Sequence, residues 1–285
     1  MKIKQLKDVQ IHTIHKAFKN AFADYTVPFD LTENQLAYMI ERRGFNAALS
    51  FGAFEKNELI GFTLNGIGEW KGALTAYDTG TGVVQAFRKK GIATLIFDRS
   101  LPVLRAHSIK QYLLEVIKTN THAFRLYKNA GFDVVRELDF YVESKDKIKI
   151  HHEGLSKEYS IDVLFEPDWA LLKTFWDTEP SWQNSIDSMN RKRDHFKILG
   201  IYYHNDVIGY GIVETTTGDI PQIAISREHR RKKLCSVLME RLINESESEK
   251  IRIINIDVQN KALTQFISSI NMHPGDGQFE MILKV

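Results

Sequence analysis

An internal repeat is the feature that most constrains how this sequence can fold. Three segments of the first half recur in the same order in the second half: FGAFEKNELIGF (51–62) matches LGIYYHNDVIGY (199–210), RKKGIATLIF (88–97) matches RRKKLCSVLM (230–239), and LLEVIKTN (113–120) matches NIDVQN (255–260). Matches in a common order indicate a duplicated domain, and 285 residues suffice for two domains of ordinary size. We predict a first domain at 1–145, a linker at 146–158, where charge and polarity rise, and a second domain at 159–285.

Helical and strand patterns alternate within each copy. In the first copy, apolar residues at 11, 14, 17, 18, 21 and 22 predict a helix, and a second helix follows with Thr32 as its N-cap and Gly44 at its end. Strands are then predicted at 49–55, 59–67 and 73–84, a helix at 91–107, a strand at 111–117, a helix at 121–130 and strands to 143. The segments 51–62 and 199–210 have the pattern of hairpins, with Asn57 and Asn205 in the left-handed backbone of a tight turn. The predicted fold class is mixed α/β, with two tandem domains, each a mostly antiparallel sheet flanked by helices.

Composition excludes several classes of function. The formal net charge is +2 and charged residues make up 26% of the chain, so bulk electrostatics favour neither nucleic acid nor a membrane as a partner. The single cysteine, Cys235, cannot form an intramolecular disulfide, which favours a reducing compartment. No charge-free apolar stretch is long enough to span a bilayer, and the histidines lack the spacing of a metal site. We expect a cytoplasmic monomer or homodimer without a metal.

The stretch RKKGIA at 88–93 directly precedes a predicted helix. A helix N-terminus leaves its first backbone N–H groups unpaired and carries a partial positive charge, so it favours phosphate binding. Gly91 and Ala93 would let an anion approach the backbone, because larger side chains there would block it. The three cations at 88–90 would add charge around it. The alternative is an ordinary exposed helix start that happens to be basic.

The order of these features resembles the GNAT superfamily of acyl-CoA-dependent N-acyltransferases. The matching features are a strand, R-x-x-G-x-A, a helix, the strand ending LLEV (113–116), Asn120, and AFRLYKNAGF (123–132). The resemblance covers 3–143 and, more weakly, 160–285. It implies a splayed sheet, acetyl-CoA as cofactor and a small-molecule or peptide amine as acceptor. The cofactor-binding residues that it implies are Val83, Val84, Arg88, Lys89, Lys90, Gly91, Ile92, Ala93, Thr94, Asn120 and Ala123.

The resemblance also places Tyr127 beside the thioester sulfur, where it would act as the general acid. A thiol has a pKa of about 8.5 and tyrosine one of about 10. The pKa values of donor and acceptor would therefore be nearly matched for proton transfer from Tyr127 to the CoA sulfur. A backbone N–H at Val83 or Val84 would stabilise negative charge on the thioester oxygen. The alternative for Tyr127 is a core aromatic residue that closes the helix onto the sheet.

Asp78 is the candidate general base, because some relatives place a carboxylate at this point of the strand. A regular strand would put it on the same face as Val84, but a bulge at Gly80 or Gly82 would change that. Its ordinary pKa of about 3.9 makes an exposed aspartate a poor base, so it would need desolvation or a bridging water. A solvated or turn-capping aspartate is the alternative, with Tyr77 and Glu69 as substitute bases.

The resemblance implies that the acceptor meets the segment between the first two helices, 22–32. Tyr25 and Phe29 would wall its entrance, and Trp70 and Tyr77 would contact it from the other side. Plain packing of a loop between two helices is the alternative.

The second copy departs from the pattern at four positions. Lys233 replaces Gly91, Cys235 replaces Ala93, Ile267 replaces Tyr127 and Asn271 replaces Gly131. These changes argue against acyl transfer there, and we interpret the second copy as a scaffold. Two functions remain open: an N-acetyltransferase with one working site in the first domain, and a non-catalytic CoA-binding regulatory or scaffold protein.

Overall fold

The computed structural model describes residues 1–24 and 30–285, and the chain forms two compact units. The first unit comprises Met1–Val116, Asn120–Val135 and Glu280–Val285, and the second comprises Ile117–Thr119 and Arg136–Phe279. In each unit helices flank a mostly antiparallel sheet, so the predicted α/β class is confirmed. The elements in chain order are β1 (Lys2–Gln5), α1 (Ile11–Phe22), α2 (Glu33–Arg42), β2 (Phe51–Glu55), β3 (Glu58–Trp70), β4 (Ala73–Val83), α3 (Ile92–Ala106), β5 (Gln111–Ile117), α4 (Thr121–Asn129), β6 (Asp133–Ser144), β7 (Tyr159–Val163), α5 (Trp169–Lys173), α6 (Ile186–Asn190), β8 (Phe196–Tyr203), β9 (Asp206–Glu214), β10 (Gln222–Ile225), α7 (Leu234–Glu245), β11 (Lys250–Asp257), α8 (Lys261–Ser269) and β12 (Gln278–Lys284).

Local sequence signals explain several element boundaries. Thr32 accepts a hydrogen bond from the Gln35 N–H, and the Gln35 side chain accepts one from the Thr32 N–H, so a capping box begins α2 as predicted. In the first hairpin Asn57 has a φ of 68°, as its turn requires. In the second hairpin the prediction is wrong, because the left-handed residue is His204, with a φ of 53°, and not Asn205.

The sheet of the first unit opens between two neighbouring strands. The strands β1 to β4 pair antiparallel in sequence order, and β5 joins β4 in parallel. This parallel pairing runs only from Thr75–Tyr77 to Gln111–Leu113, although both strands continue further. Beyond this point β4 and β5 separate and leave a wedge-shaped gap.

A β-bulge in β4 lies at the start of this gap. Leu64 of β3 pairs with Gly80, but the next residue, Asn65, pairs with Asp78, so Thr79 is the extra residue. A bulge changes which face the following residues occupy. Asp78 therefore shares a face with Thr81, to which it is hydrogen bonded, and not with Val84.

Helices cover both faces of this sheet. On one face, α1 and α2 pack on Phe62 and Leu64. On the other face, α3 packs on Phe51 and Ala53 through its buried Ile96. The gap between β4 and β5 opens on the α3 face, because Asp78 and Thr81 line it together with residues of α3.

The last strand of each repeat contributes to the other unit. Residues Glu280–Val285, which include most of β12, belong to the first unit, where β12 follows β5 in the sheet order. Residues of β6 from Arg136 onward belong to the second unit, where they pair antiparallel with β11. The compact units thus divide the chain differently from the predicted domains. The predicted limits describe the sequence repeat and remain a proposal: 1–145, 146–158 and 159–285.

The second unit repeats the element order of the first. Its strands β7 to β10 pair antiparallel. The chain just before β10 meets β11 only at a parallel bridge between Asp219 and Arg252. Within the predicted linker, Ile148, Ile150 and Leu155 pack against the core of this unit.

Candidate active site

A cavity of about 280 Å³ lies where β4 and β5 separate in the first unit. Of the residues singled out in the sequence, the cavity lining includes Asp78, Ala93, Thr94 and Tyr127. The start of α3 forms one side of the cavity and α4 forms another. The structure thus brings together the candidate acid, the candidate base and the start of the basic helix.

Asp78 and Tyr127 are hydrogen bonded to each other. The Tyr127 hydroxyl donates to Asp78 Oδ2 at 3.3 Å, while the Gly80 N–H (2.9 Å) and the Thr81 hydroxyl (2.8 Å) donate to the same carboxylate. Desolvation raises the pKa of Asp78 to about 6, although these hydrogen bonds act in the opposite direction. The cavity therefore supplies the desolvation that an aspartate base requires.

The turn before α3 has the backbone of an anion site. Lys89 and Gly91 both have positive φ, at 61° and 70°, and α3 has no side-chain N-cap. Alternation of this kind points successive N–H groups into one concave surface that binds anions. Lys89 and Lys90 are exposed there, and the Lys90 ammonium lies 5.2 Å from the centre of the Phe87 ring.

Gly91 has a left-handed backbone conformation, which favours glycine. A Cβ added at this position would meet nothing within 4 Å, so in the folded chain the site has room for a side chain. The constraint is the positive φ, which L residues adopt at a cost. Ile92, by contrast, is 4% exposed and packs into the core.

Arg88 is fixed by contacts with three other residues. Its guanidinium forms two 2.7 Å hydrogen bonds with the Asp24 carboxylate and also donates to the carbonyl oxygens of Ala21 (2.7 Å) and Val83 (3.2 Å). The hydrogen bond from Arg88, followed by one from Gln85, holds the pKa of Asp24 well below its usual range. Arg88 therefore ties the turn to the end of α1 and to β4. Sequence reasoning missed Asp24, because no local pattern connects it to a residue so distant in the chain.

Backbone groups near the gap are already used in part. The Val84 N–H donates to the Ile60 carbonyl at 2.9 Å, so it cannot face the gap. Alternation along the strand directs the Val83 N–H away from β3, which leaves Val83 as the available donor of the two. At α4, Asn120 Oδ1 accepts from the Ala123 N–H at 3.1 Å, so these two residues cap the helix.

Comparison with known proteins identifies the family. The acetyltransferase (GNAT) family model matches residues 14–132 and, a second time, residues 159–268. The chain belongs to the GNAT family. No curated protein sequence matches it at a significant level.

Solved structures share this tandem GNAT fold along nearly the whole chain. A tandem GNAT protein from the clavulanic acid biosynthesis pathway is 15% identical, with 99% of this chain and 98% of that chain covered and a TM-score of 0.72. A putative acetyltransferase from Pyrococcus horikoshii is 17% identical, with 100% and 89% covered and a TM-score of 0.68. A GCN5-related N-acetyltransferase from Sphaerobacter thermophilus is 12% identical, with 99% and 95% covered and a TM-score of 0.74. At these identities the similarity shows the fold alone.

The opposite face of the GNAT sheet carries a second carboxylate that sequence reasoning missed. Tyr77 is 1% exposed, and its hydroxyl donates to Glu115 on β5. Because Tyr77 precedes Asp78 in the strand, this pair lies on the other face from Asp78. Glu115 belongs to the LLEV segment, where its position between apolar residues was the available signal.

The predicted acceptor residues are placed only in part. Tyr25 and Phe29 lie outside the described residues. Trp70 is 4% exposed at the end of β3, and its carbonyl accepts from the Gln111 side chain, so it contributes to packing. The substitute base Glu69 is exposed.

Two observations concern membranes and metals. Among the described residues, no helix is long and apolar enough to cross a membrane. In the same part of the chain, the His, Cys, Asp and Glu side chains form no group of three that could hold a metal ion.

Proposed function

We propose that the first unit transfers an acetyl group from acetyl-CoA to a primary amine by direct attack within a ternary complex. The observation that carries this proposal is the hydrogen-bonded pair of Tyr127 and Asp78 in a cavity beside the α3 turn. Acetyl-CoA, when bound, supplies an activated acyl group as a thioester. In the reaction a C–N bond forms, the C–S bond breaks, the amine loses a proton and the sulfur gains one.

The α3 turn is the proposed phosphate site. Its fit rests on the uncapped helix start, on the positive φ of Lys89 and Gly91, and on the exposed ammonium groups of Lys89 and Lys90. Arg88 is a positioning residue, because its charge is already paired with Asp24. The Val83 N–H is the proposed donor to the carbonyl oxygen of the acyl group.

Asp78 is the proposed general base. With a pKa of about 6 its carboxyl is ionised at neutral pH yet basic enough to accept a proton from the attacking amine, directly or through water. Tyr127 is the proposed general acid. Its 3.3 Å hydrogen bond to Asp78 is long, so the hydroxyl can turn toward the departing sulfur at small cost.

The test is release of free thiol from acetyl-CoA by the full chain in the presence of a panel of amines: small polyamines, aminoglycosides, amino acids, peptides with a free N-terminus and peptides with lysine. We expect thiol release above the hydrolysis rate with at least one class. The matched control is Tyr127→Phe with the same amine. CoA binding without turnover of any amine would instead support a CoA-responsive regulatory protein.

A further inference from the structure

The β-bulge in β4 decides on which face of the sheet Asp78 lies. Thr79 is the extra residue of this bulge, and Asp78 lines the cavity as a result. In a regular strand the side chains would alternate without interruption, so Asp78 would lie on the face of α1 and α2 and Tyr77 would take its place in the cavity. The proposed active site therefore depends on the contacts that stabilise the bulge.

The polar groups of Thr79 need partners inside the protein, because this residue is 3% exposed. Its hydroxyl donates to the Leu64 carbonyl at 3.0 Å. Its own carbonyl, which the bulge removes from the regular ladder, accepts a 3.1 Å hydrogen bond from the Arg43 guanidinium. A buried carbonyl that loses its donor is unfavourable, so the contact with Arg43 favours the bulged register over the regular one.

Arg43 reaches Thr79 because the chain that follows α2 lies directly on β3. Arg43 is the C-cap of α2, and Gly44 then turns the chain with a φ of 85°. The Gly44 carbonyl accepts a hydrogen bond from the Ile67 N–H at 3.0 Å. A Cβ at Gly66 would lie only 2.2 Å from the Arg43 carbonyl oxygen, so glycine permits this close approach. The end of α2 thus holds the guanidinium at the bulge.

A buried asparagine fixes the β3 side of the bulge. Asn65 pairs with Asp78 and is fully buried. Its N–H donates to the Ser50 hydroxyl at 2.8 Å, its side-chain amide donates to the Leu49 carbonyl at 2.6 Å, and its Oδ1 accepts from the Tyr112 hydroxyl at 2.5 Å. A buried polar network that is satisfied in this way is rigid. β3 is therefore held in one position, and the Arg43 contact holds β4 against it.

Arg43 also supplies positive charge beside the candidate base. The titratable and charged groups around Asp78 come from four elements: Arg43 at the end of α2, Asp98 on α3, Tyr112 on β5 and Tyr127 on α4. Desolvation raises the pKa of Asp78 to about 6, while its hydrogen bonds, first of all that from Thr81, and then the charge of Arg43 act in the opposite direction. Loss of the Arg43 charge should therefore raise the pKa of Asp78 further.

We propose that Arg43 is a positioning residue for the candidate active site: it holds the bulge at Thr79 and thereby keeps Asp78 on the cavity face. The inference rests on the proposed function in that it takes Asp78 as the group that accepts the proton. Arg43 acts in two ways that substitutions can separate. Its hydrogen bond to the Thr79 carbonyl fixes the face of Asp78, and its charge sets the pH range in which the carboxylate is ionised.

The first test is the titration of Asp78 in the full chain, followed by NMR of isotope-labelled aspartate carboxyl carbons, with Asp78→Asn to assign the signal. Arg43→Gln keeps an amide donor for the Thr79 carbonyl and removes the charge, so Asp78 should titrate at a higher pH than in the original chain. Arg43→Lys keeps the charge, and Asp78 should titrate near the original value of about 6. Arg105→Gln removes an exposed cation from the last turn of α3 and is the control, with no change expected.

The second test is steady-state kinetics with the amine found in the panel. Arg43→Met removes both the hydrogen bond and the charge, so Asp78 should leave the cavity face in part of the molecules. Because general base catalysis is typically worth about 10²- to 10⁴-fold, kcat should fall by about tenfold or more. The KM for acetyl-CoA should stay within a few fold, since the contacts of the α3 turn are unchanged. Arg43→Gln, which retains a donor, should keep most of the original kcat at a pH above its shifted limb.

The outcomes separate this inference from the proposed function. If the original chain is active and Arg43→Met retains its kcat, the inference is overturned and the proposed function stands. If the original chain releases no thiol with any amine, the proposed function is contradicted, and the titration alone decides the inference. In that case a higher pKa of Asp78 in Arg43→Gln supports it, and an unchanged pKa overturns it. If Arg43→Met fails to fold, the titrations of Arg43→Gln and Arg43→Lys decide in the same way.

Discussion

At the scale of single residues, the first unit and the second unit differ most at the groups proposed for proton transfer. Tyr127 and Asp78 share a desolvated cavity in the first unit, whereas the second has Ile267 in the core at the position of the tyrosine. The residues that hold the backbone of the turn in place are instead retained in both units, because Arg88 and Arg230 make equivalent contacts. The two copies thus share their framework and differ in the side chains proposed for catalysis.

Tyr127→Phe should lower kcat while acetyl-CoA binding stays nearly unchanged, because the ring remains and only the proton donor is lost. General acid catalysis is typically worth about 10²- to 10⁴-fold. Steady-state kinetics with the amine found in the panel, together with CoA titration, measure the two effects. Ile267→Tyr in the second copy is the matched variant and should add no activity. Full activity of Tyr127→Phe would show that another group is the acid.

The raised pKa of Asp78 predicts a pH dependence. Above a pH of about 6 the carboxylate is ionised and can accept a proton, and below it the carboxyl is neutral and cannot. After correction for the protonation of the amine substrate itself, kcat/KM should therefore rise with pH through about 6 and then level off. Asp78→Asn should remove this limb and lower kcat/KM at neutral pH. If kcat/KM of Asp78→Asn still rises with pH in this way, the rise belongs to a different titrating group, and Glu115 is the next residue to substitute.

At the scale of elements, the decisive feature is the turn between β4 and α3. Its conformation is set by Lys89 and Gly91, and its position is fixed by Arg88, which holds it to α1 through Asp24. The strand, the helix and the basic composition of this turn could be predicted from sequence, because each leaves a local pattern. The ion pair could not, since its partners are brought together only by the packing of α1 on β4.

Gly91→Glu should weaken CoA binding at the first site at least tenfold, or about 1.4 kcal/mol, because it adds negative charge where N–H groups should meet phosphate. Gly91→Lys is the informative counterpart, because lysine adopts the same backbone in the second copy, with a φ of 59° at position 233. We expect it to bind CoA within a few fold of the original chain. If calorimetry shows that Gly91→Glu and Gly91→Lys weaken CoA binding equally, side-chain volume and not charge decides binding.

Asp24→Ala should raise the Kd and KM for acetyl-CoA in the first unit several-fold, because the turn loses its attachment to α1 and Arg88 keeps an unpaired charge. The pair is partly exposed, with side-chain accessibilities of 37% and 46%, so we expect only a small change in the free energy of unfolding. Asp177→Ala, the equivalent change in the second copy, is the control and should leave the kinetics of the first unit unchanged. Equal effects of the two changes on the KM would contradict this role for Asp24.

At the scale of the whole molecule, most secondary structure could be predicted from sequence, but the assembly of the units could not. Apolar periodicity and capping residues placed α2, α3 and β4 nearly correctly, because these signals are local. The exchange of the last strands leaves no such signal, since β6 and β12 have strand patterns that would suit either unit. The face of Asp78 depended on the bulge at Thr79, which glycine content suggested but could not position.

Met281→Ala should destabilise the first unit by about 2–5 kcal/mol, because it removes a large buried side chain from β12. Met281 is fully buried and belongs to the first unit, although it lies in the second repeat of the sequence. Loss of acetyl transfer on heating should therefore occur at a lower temperature. Lys284→Ala, at an exposed position of the same strand, is the control. If the temperature of half-inactivation is unchanged in Met281→Ala, the strand is dispensable for the first unit.

The contribution of residues 280–285 to the first unit has a consequence for the order of events during synthesis. A ribosome makes Tyr127, Asp78 and the whole α3 turn long before it makes β12. The sheet that supports them cannot be completed until residues 280–285 have left the exit tunnel. We expect a nascent chain stalled in the second repeat to hold every proposed catalytic group of the first unit and to lack the strand that completes its sheet, so the proposed transfer would begin only after β12 has been made.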